Sequence, residues 1–288
     1  MFTNILNHRN YRYLWLALLL GFACWILYTS HADFPAPSGS TWQGYILGTI
    51  GALLIVWLAL LGLRKRSYKS NLGAVKGWVS AHVYLGTILV LVVSLHTGFQ
   101  FGWNVHSLAY TLMILVVASG IYGLNAYLRY PARLSATRAG NPRAEMFGEL
   151  FELNKQTLQL AQQCQSDIND MVTSSVRGTQ LGGGVFAQLS GRDHSVLSRA
   201  GDQLDNPDQE TAINIISSRI PRSAREIESV VLQELLTAMC RRQNILRRIR
   251  LDIMYQSRVQ LWLYVHVPIS IALIASLLVH ILTVFLYW

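Results

Sequence analysis

Four histidines lie in long apolar stretches of the chain and form two pairs with the same spacing. Thirteen residues separate His82 from His96, and thirteen separate His266 from His280. In an α-helix, an advance of fourteen residues returns the second imidazole to within about 40° of the first, about 21 Å further along the axis. Each pair therefore lies on one face of one helix. Ionisable side chains inside a membrane are costly and usually functional, so these four are candidate ligands of a cofactor.

The two histidine pairs belong to a longer repeat. Trp78 precedes the first pair and Trp262 precedes the second, each by four residues from the nearer histidine, and a valine follows that histidine in both. Both segments match the pattern W-x3-H-V-x12-H. Because the repeat includes residues other than histidine, it favours a shared role over two coincidental spacings.

Matched histidine pairs on two membrane helices indicate two stacked haems. The third and fifth predicted helices run in the same direction, so we expect His82 to face His266 and His96 to face His280. Two axial imidazoles make haem iron six-coordinate, which suits electron transfer and leaves no position at the metal for a substrate. We therefore predict two iron sites about 20 Å apart.

The three cysteines limit how haem could be held. Cys24, Cys164 and Cys240 form no C-x-x-C pair, which excludes covalent haem attachment, an all-cysteine zinc site and an iron–sulfur cluster within this sequence. The two predicted haems are therefore of the non-covalent b type.

Composition indicates an all-α membrane protein. Of the 288 residues, 52% are hydrophobic and only 14% are charged. Five segments are long enough to cross about 30 Å of hydrocarbon. They are Tyr13–Tyr28, Gly44–Leu63, Gly77–Phe99, Val105–Leu128 and Leu261–Trp288. We expect residues 1–130 to hold transmembrane helices one to four, 131–258 to form a soluble helical insert, and 259–288 to hold helix five.

The insert is predicted to be a coiled-coil-like helical hairpin that extends helices four and five. Apolar or small residues recur close to a heptad between Glu145 and Thr173. A flexible loop is expected at Ser174–Gly191, a short helix at Pro207–Ser218, and a long helix from about Pro221. Such a hairpin could dock a partner or mediate self-association.

Charge distribution predicts the orientation in the membrane. The segment from Arg64 to Lys69, together with Lys76, carries five positive charges and no acid. By the positive-inside rule, we expect the N-terminus and the insert to be cytoplasmic and the C-terminus to lie outside. We expect the membrane to be the inner membrane of a bacterium. The net charge of +9 is spread over loops at one membrane surface, which argues against nucleic-acid binding.

Several residues near the four histidines are candidates for supporting roles. Cations at the inner surface could pair with haem propionates: Arg64, Lys76, Arg129 and Arg258. Small residues could admit the flat ring: Gly86, Gly98, Gly120, Gly123, Ser270 and Ser276. Pro268 is expected either to aim His266 or to shape packing. Pro131 is expected to end helix four. His31 and His106 could line a quinone or partner site, replace a ligand, or be interfacial polar residues.

The histidine pattern resembles the di-haem transmembrane cytochrome b class, in particular respiratory cytochrome b and the membrane domain of ferric reductases and NADPH oxidases. The resemblance covers Lys76–Tyr130 and Leu261–Trp288. It implies two b-type haems and transmembrane electron transfer, and it carries over only to His82, His96, His266 and His280. The helical insert departs from that family, and no flavin or nicotinamide motif is found in this sequence.

The sequence therefore predicts an electron-transfer subunit of a larger membrane oxidoreductase complex. Electrons would pass between a quinone or cytoplasmic donor and a partner redox protein, such as an outer-face cytochrome or iron–sulfur protein. The alternative is a non-redox scaffold or sensor whose cytoplasmic hairpin binds partners. A metal-ion transporter is disfavoured because no Asp or Glu lies in any predicted span.

Overall fold

The computed structural model describes residues 5–31, 37–66, 73–138, 140, 142–220 and 226–286, without the side chains of residues 226–228. The chain divides into two compact units, the first formed by Met1–Leu128 with Leu261–Trp288 and the second by Arg129–Gln260. The predicted boundaries at residues 130 and 258 lie close to these. Among the described residues, five helices are long and apolar enough to cross a membrane. The predicted all-α class is confirmed, with one small β-hairpin in the second unit.

The first unit contains the helices that carry the four histidines. Its complete helices are α1 (Arg12–Thr29), α2 (Trp42–Arg66) and α3 (Val75–Thr97), and a 3-10 turn covers Ile5–Asn7. It also holds the first part of α4 (Val105–Arg138) and the last part of α9 (Glu226–Leu286). Helix α3 ends two residues before its predicted end. Gly98 there adopts a left-handed conformation with φ of 57°, and its N–H bonds the carbonyl of Leu95.

Helix α3 is the centre of packing in the first unit. It lies closely against both α1 and α2. At Gly21 of α1 the backbone approaches so near that an added Cβ would lie 2.6 Å from Ile88 of α3. Large apolar side chains elsewhere point outward, among them Leu19 at 70% and Phe285 at 79% exposed. An apolar exterior of this kind suits contact with lipid.

The second unit is more varied than the predicted helical hairpin. It contains α5 (Arg143–Ala161), α6 (Ser166–Arg177), α7 (Val185–Ser190) and α8 (Glu210–Arg219), besides parts of α4 and α9. Strands β1 (Val196–Arg199) and β2 (Asp202–Asp205) form an antiparallel hairpin, and a 3-10 turn covers Pro207–Gln209. The hairpin escaped prediction because its strands are only four residues long and β2 is exposed throughout.

The predicted helix from Glu145 to Thr173 is broken in the structure. Helix α5 ends at Ala161 and α6 begins at Ser166. The turn between them brings Ala161 and Ile168 into one core with residues of α8 and α9. Phe147, placed in the predicted seam, is 41% exposed. The neighbouring Met146 is fully buried instead, against Ile245 and Ile249 of α9.

Pro131 does not end α4, so that prediction was wrong. The helix continues through the proline to Arg138. Contacts within the second unit stabilise this last stretch. The guanidinium of Arg248 donates to the carbonyls of Thr137 and Arg138, both at 2.7 Å, and Arg138 pairs with the buried carboxylate of Asp252 at 2.6 Å. These bonds satisfy the helix end and offset the hydrogen bond lost at the proline.

Candidate cofactor-binding site

The structure brings together the histidines that the sequence paired. The rings of His96 and His280 have centroids 6.1 Å apart and planes at 89°. At the other pair, the charge of His266 acts on His82, so these two side chains also lie near each other. We call His82 with His266 the first level, and His96 with His280 the second level.

A leucine layer lies between the two levels. Leu89 is seven residues from both histidines of α3, and Leu273 is seven residues from both histidines of α9. Both are buried, at 2% and 5% exposed, in one cluster with Ile55 and Met113. Leu89 and Leu273 thus occupy equivalent positions of α3 and α9 and belong to the same buried cluster. These leucines are visible in the sequence, but only the packing shows that they belong together.

Both histidines of α3 donate to carbonyls of α2. The Nδ1 of His82 lies 3.1 Å from the carbonyl oxygen of Leu58, and the Nδ1 of His96 lies 2.7 Å from that of Gly44. A carbonyl can only accept, so Nδ1 carries the proton in each neutral ring. The proton-free Nε2 is then the nitrogen able to bind a metal.

His266 is oriented in the same way by α4. The hydroxyl of Ser119 donates to the carbonyl of Val116 at 2.8 Å, which leaves its oxygen to accept from Nδ1 of His266 at 2.7 Å. Nε2 is again the free nitrogen. Ser119 was not singled out in the sequence, because nothing there marks which helix packs against His266.

His280 differs, because its Nδ1 hydrogen-bonds to Nδ1 of another histidine, His106. The centroids of these two rings are 4.5 Å apart and their planes are perpendicular. The other interfacial histidine, His31, lies 3.1 Å from the side-chain oxygen of Gln43. His106 therefore contacts the second level through His280.

The two tryptophans of the repeat attach the histidine helices to their neighbours. Trp78 stacks on Trp57 of α2 with ring centroids 5.2 Å apart. The indole N–H of Trp262 donates to the carbonyl of Ser119 at 2.8 Å. Its ring also covers Gly123, where an added Cβ would lie only 2.1 Å from the indole. Each tryptophan thus helps to set the height of its histidines against the next helix.

Several of the small residues near the histidines make contacts that the sequence did not predict. Gly123 accommodates Trp262, and Gly98 ends α3. At Gly120 an added Cβ would lie 3.7 Å from the ring of His266, and at Gly86 it would lie 3.9 Å from Leu58. The remaining two are serines. The hydroxyl of Ser270 donates to the carbonyl of His266, and Ser276 is 8% exposed.

One cation near the first level, Lys65, was not among those predicted to pair with haem propionates. Lys65 interacts electrostatically with both His82 and His266. The neighbouring Arg64 donates to the carbonyl of Gly73 at 2.7 Å. Lys76 belongs to the first turn of α3. Arg129 and Arg258 belong to the second unit, where Arg258 donates to the carbonyl of Leu189. Lys65 was visible in the basic segment, but the sequence did not distinguish it from its neighbours.

Gly48 of α2 makes room for His96. A Cβ added at this glycine would lie 2.7 Å from Cε1 and 2.8 Å from Nδ1 of the imidazole. Alanine at position 48 is therefore expected to displace the ring and weaken its bond to Gly44, at a cost of about 1–3 kcal/mol. Thermal unfolding of the purified chain measures this loss.

Gly62 supplies the matched control, since it lies in the same helix and an added Cβ there has no neighbour within 4 Å among the described residues. Alanine at position 62 is expected to leave stability unchanged or to raise it by up to about 1 kcal/mol. Equal effects at the two glycines would show that α2 does not fit tightly around His96.

The spacing of the two rings at the second level is compatible with two histidines binding one haem iron. Among the described residues, no group of three or more His, Cys, Asp and Glu could hold a metal ion. Bis-histidine haem needs only two side chains per iron. With metal–nitrogen bonds of about 2 Å, two imidazoles on opposite sides of one metal have centroids about 6 Å apart. The separation of 6.1 Å between His96 and His280 agrees with this value.

Comparison of the chain with protein families, curated proteins and solved structures found no match.

Proposed function

We propose that this protein is a membrane electron-transfer subunit that binds two b-type haems. His82 and His266 would hold one haem, and His96 and His280 the other. The observation that carries the proposal is the matched arrangement of four imidazoles at two levels, each with Nδ1 engaged by a neighbouring helix. A hydrogen-bonded Nδ1 is the usual partner of a metal-binding Nε2.

The bound haems would supply one-electron redox chemistry. The residues of this chain orient the ligands and surround them with apolar side chains. The bonds to Leu58, Gly44 and Ser119 hold three imidazoles in one tautomer and increase their basicity. The leucine layer of Leu89 and Leu273 keeps the space between the levels apolar, which favours the less charged state of each centre.

The five apolar helices support a location in the membrane. We place the first level towards the cytoplasm and the second towards the outside, as the distribution of basic residues predicts. Electrons would then cross the bilayer between a quinone or cytoplasmic donor and a partner redox protein at the outer face. Lys65, which interacts with both first-level histidines, would pair with a haem propionate.

A reduced-minus-oxidised absorption spectrum of the detergent-purified chain tests the proposal. We expect the α band of a b-type cytochrome and about two haems per chain by pyridine haemochrome assay, because the proposal assigns one pair of histidines to each haem. If the folded chain contains no haem although it was produced with haem in excess, the proposal is contradicted. That result would favour a non-redox scaffold or sensor.

A further inference from the structure

The four candidate ligands do not have equivalent hydrogen-bond partners. Three of them donate from Nδ1 to oxygen atoms, those of Leu58, Gly44 and Ser119. His280 alone is bonded to a nitrogen, that of His106. The second level therefore has an imidazole as a hydrogen-bond partner, whereas the partners at the first level are oxygen atoms.

His106 is held in place by the start of α4. It is the second residue of that helix, next to Ser107, whose N–H donates to the side-chain oxygen of Asn104 at 3.0 Å. The hydroxyl of Ser107 in turn accepts from the N–H of Gly102 at 3.2 Å. A capped helix end thus presents this imidazole to His280 from a fixed backbone.

His106 lies too close to His280 for the two histidines to bind one iron from opposite sides. The centroids of these two rings are 4.5 Å apart and their Nδ1 atoms are directly bonded. Two imidazoles on opposite sides of one iron need about 6 Å between centroids. His96 meets that requirement with His280, at 6.1 Å.

We propose that His106 is a positioning residue of the second haem site. Its imidazole nitrogen accepts the Nδ1–H of His280, which fixes the tautomer and orientation of that ligand. This inference rests on the proposed di-haem function. An imidazole nitrogen is a better proton acceptor than a carbonyl or hydroxyl oxygen, so His280 becomes the most basic of the four ligands. A more basic ligand stabilises oxidised iron and lowers the reduction potential of the haem that it binds.

The test compares three variants of the full chain loaded with haem: His106→Leu, His106→Gln and Ser119→Ala. Potentiometric titration and electron paramagnetic resonance of the ferric form are recorded for each, and the His82→Ala variant assigns the signals of the two centres. We expect His106→Leu to keep both haems, raise the midpoint potential of the second-level haem and shift its resonance. Glutamine retains an acceptor oxygen, so a smaller shift is expected. Ser119→Ala should move only the first-level haem.

Three outcomes would overturn the inference. Loss of the second-level haem in both His106 variants would make His106 a ligand. An unchanged second-level potential and resonance in His106→Leu would make it a bystander. Equal shifts at both haems would indicate a general structural effect. Absence of haem from the wild-type chain is a separate result, since it overturns the proposed function itself.

Discussion

Replacing His82 by alanine is expected to remove one haem from the purified chain and leave the other. His82 and His266 interact at the first level, whereas His96 and His280 meet at the second. The variant would keep only His266 at the first level, and one histidine is insufficient to hold a haem that requires two. Haem content should fall from about two to about one per chain. Pyridine haemochrome assay and redox titration measure the number of centres and their potentials.

The complementary variant His96→Ala should lose the other haem. The midpoint potential of the haem that is retained should therefore differ between the two variants. An exposed histidine of the second unit, His194, supplies the control. Alanine at position 194 should leave about two haems. If His82→Ala loses both haems or neither, the assignment of separate levels is wrong.

A second large effect is expected at Arg250, in the second unit. Its guanidinium contacts the carboxylates of Asp193 and Asp208, each at 2.6 Å. The side chains of Arg250 and Asp193 are only 7% and 5% exposed. Leucine at position 250 would leave a buried carboxylate without its counter-charge, which costs about 3–5 kcal/mol. We expect a protease to cleave the second unit of the full-length variant much faster than that of the wild-type chain. The rate of cleavage is measured at a series of urea concentrations.

Arg241 is the matched control, because it belongs to the same helix and is exposed. Leucine at position 241 should change stability by no more than about 0.5 kcal/mol. If position 250 proved as tolerant as position 241, the ion pairs would contribute no net stability to the second unit. In that case its apolar core alone, around Leu235 and Met239, would hold it together.

Prediction from the sequence succeeded where the signal lies within one helix. The five apolar helices and the common face of each histidine pair follow from hydropathy and from the helical repeat, which are local properties. It failed where distant segments decide the local structure. Pro131 lies inside a helix because Arg248 and Asp252 stabilise the turns that follow it. The β-hairpin has too few apolar residues to be marked in the sequence.

By itself, the sequence determined which histidines share a helix face, because helical geometry places His82 with His96 and His266 with His280 whatever surrounds them. Only the tertiary structure decided how these imidazoles are oriented. Two of the four partners are the backbone carbonyls of Leu58 and Gly44. Every residue has such a carbonyl, so the sequence does not mark these two. The other two, Ser119 and His106, become partners only because α4 packs beside the last part of α9 at one particular height.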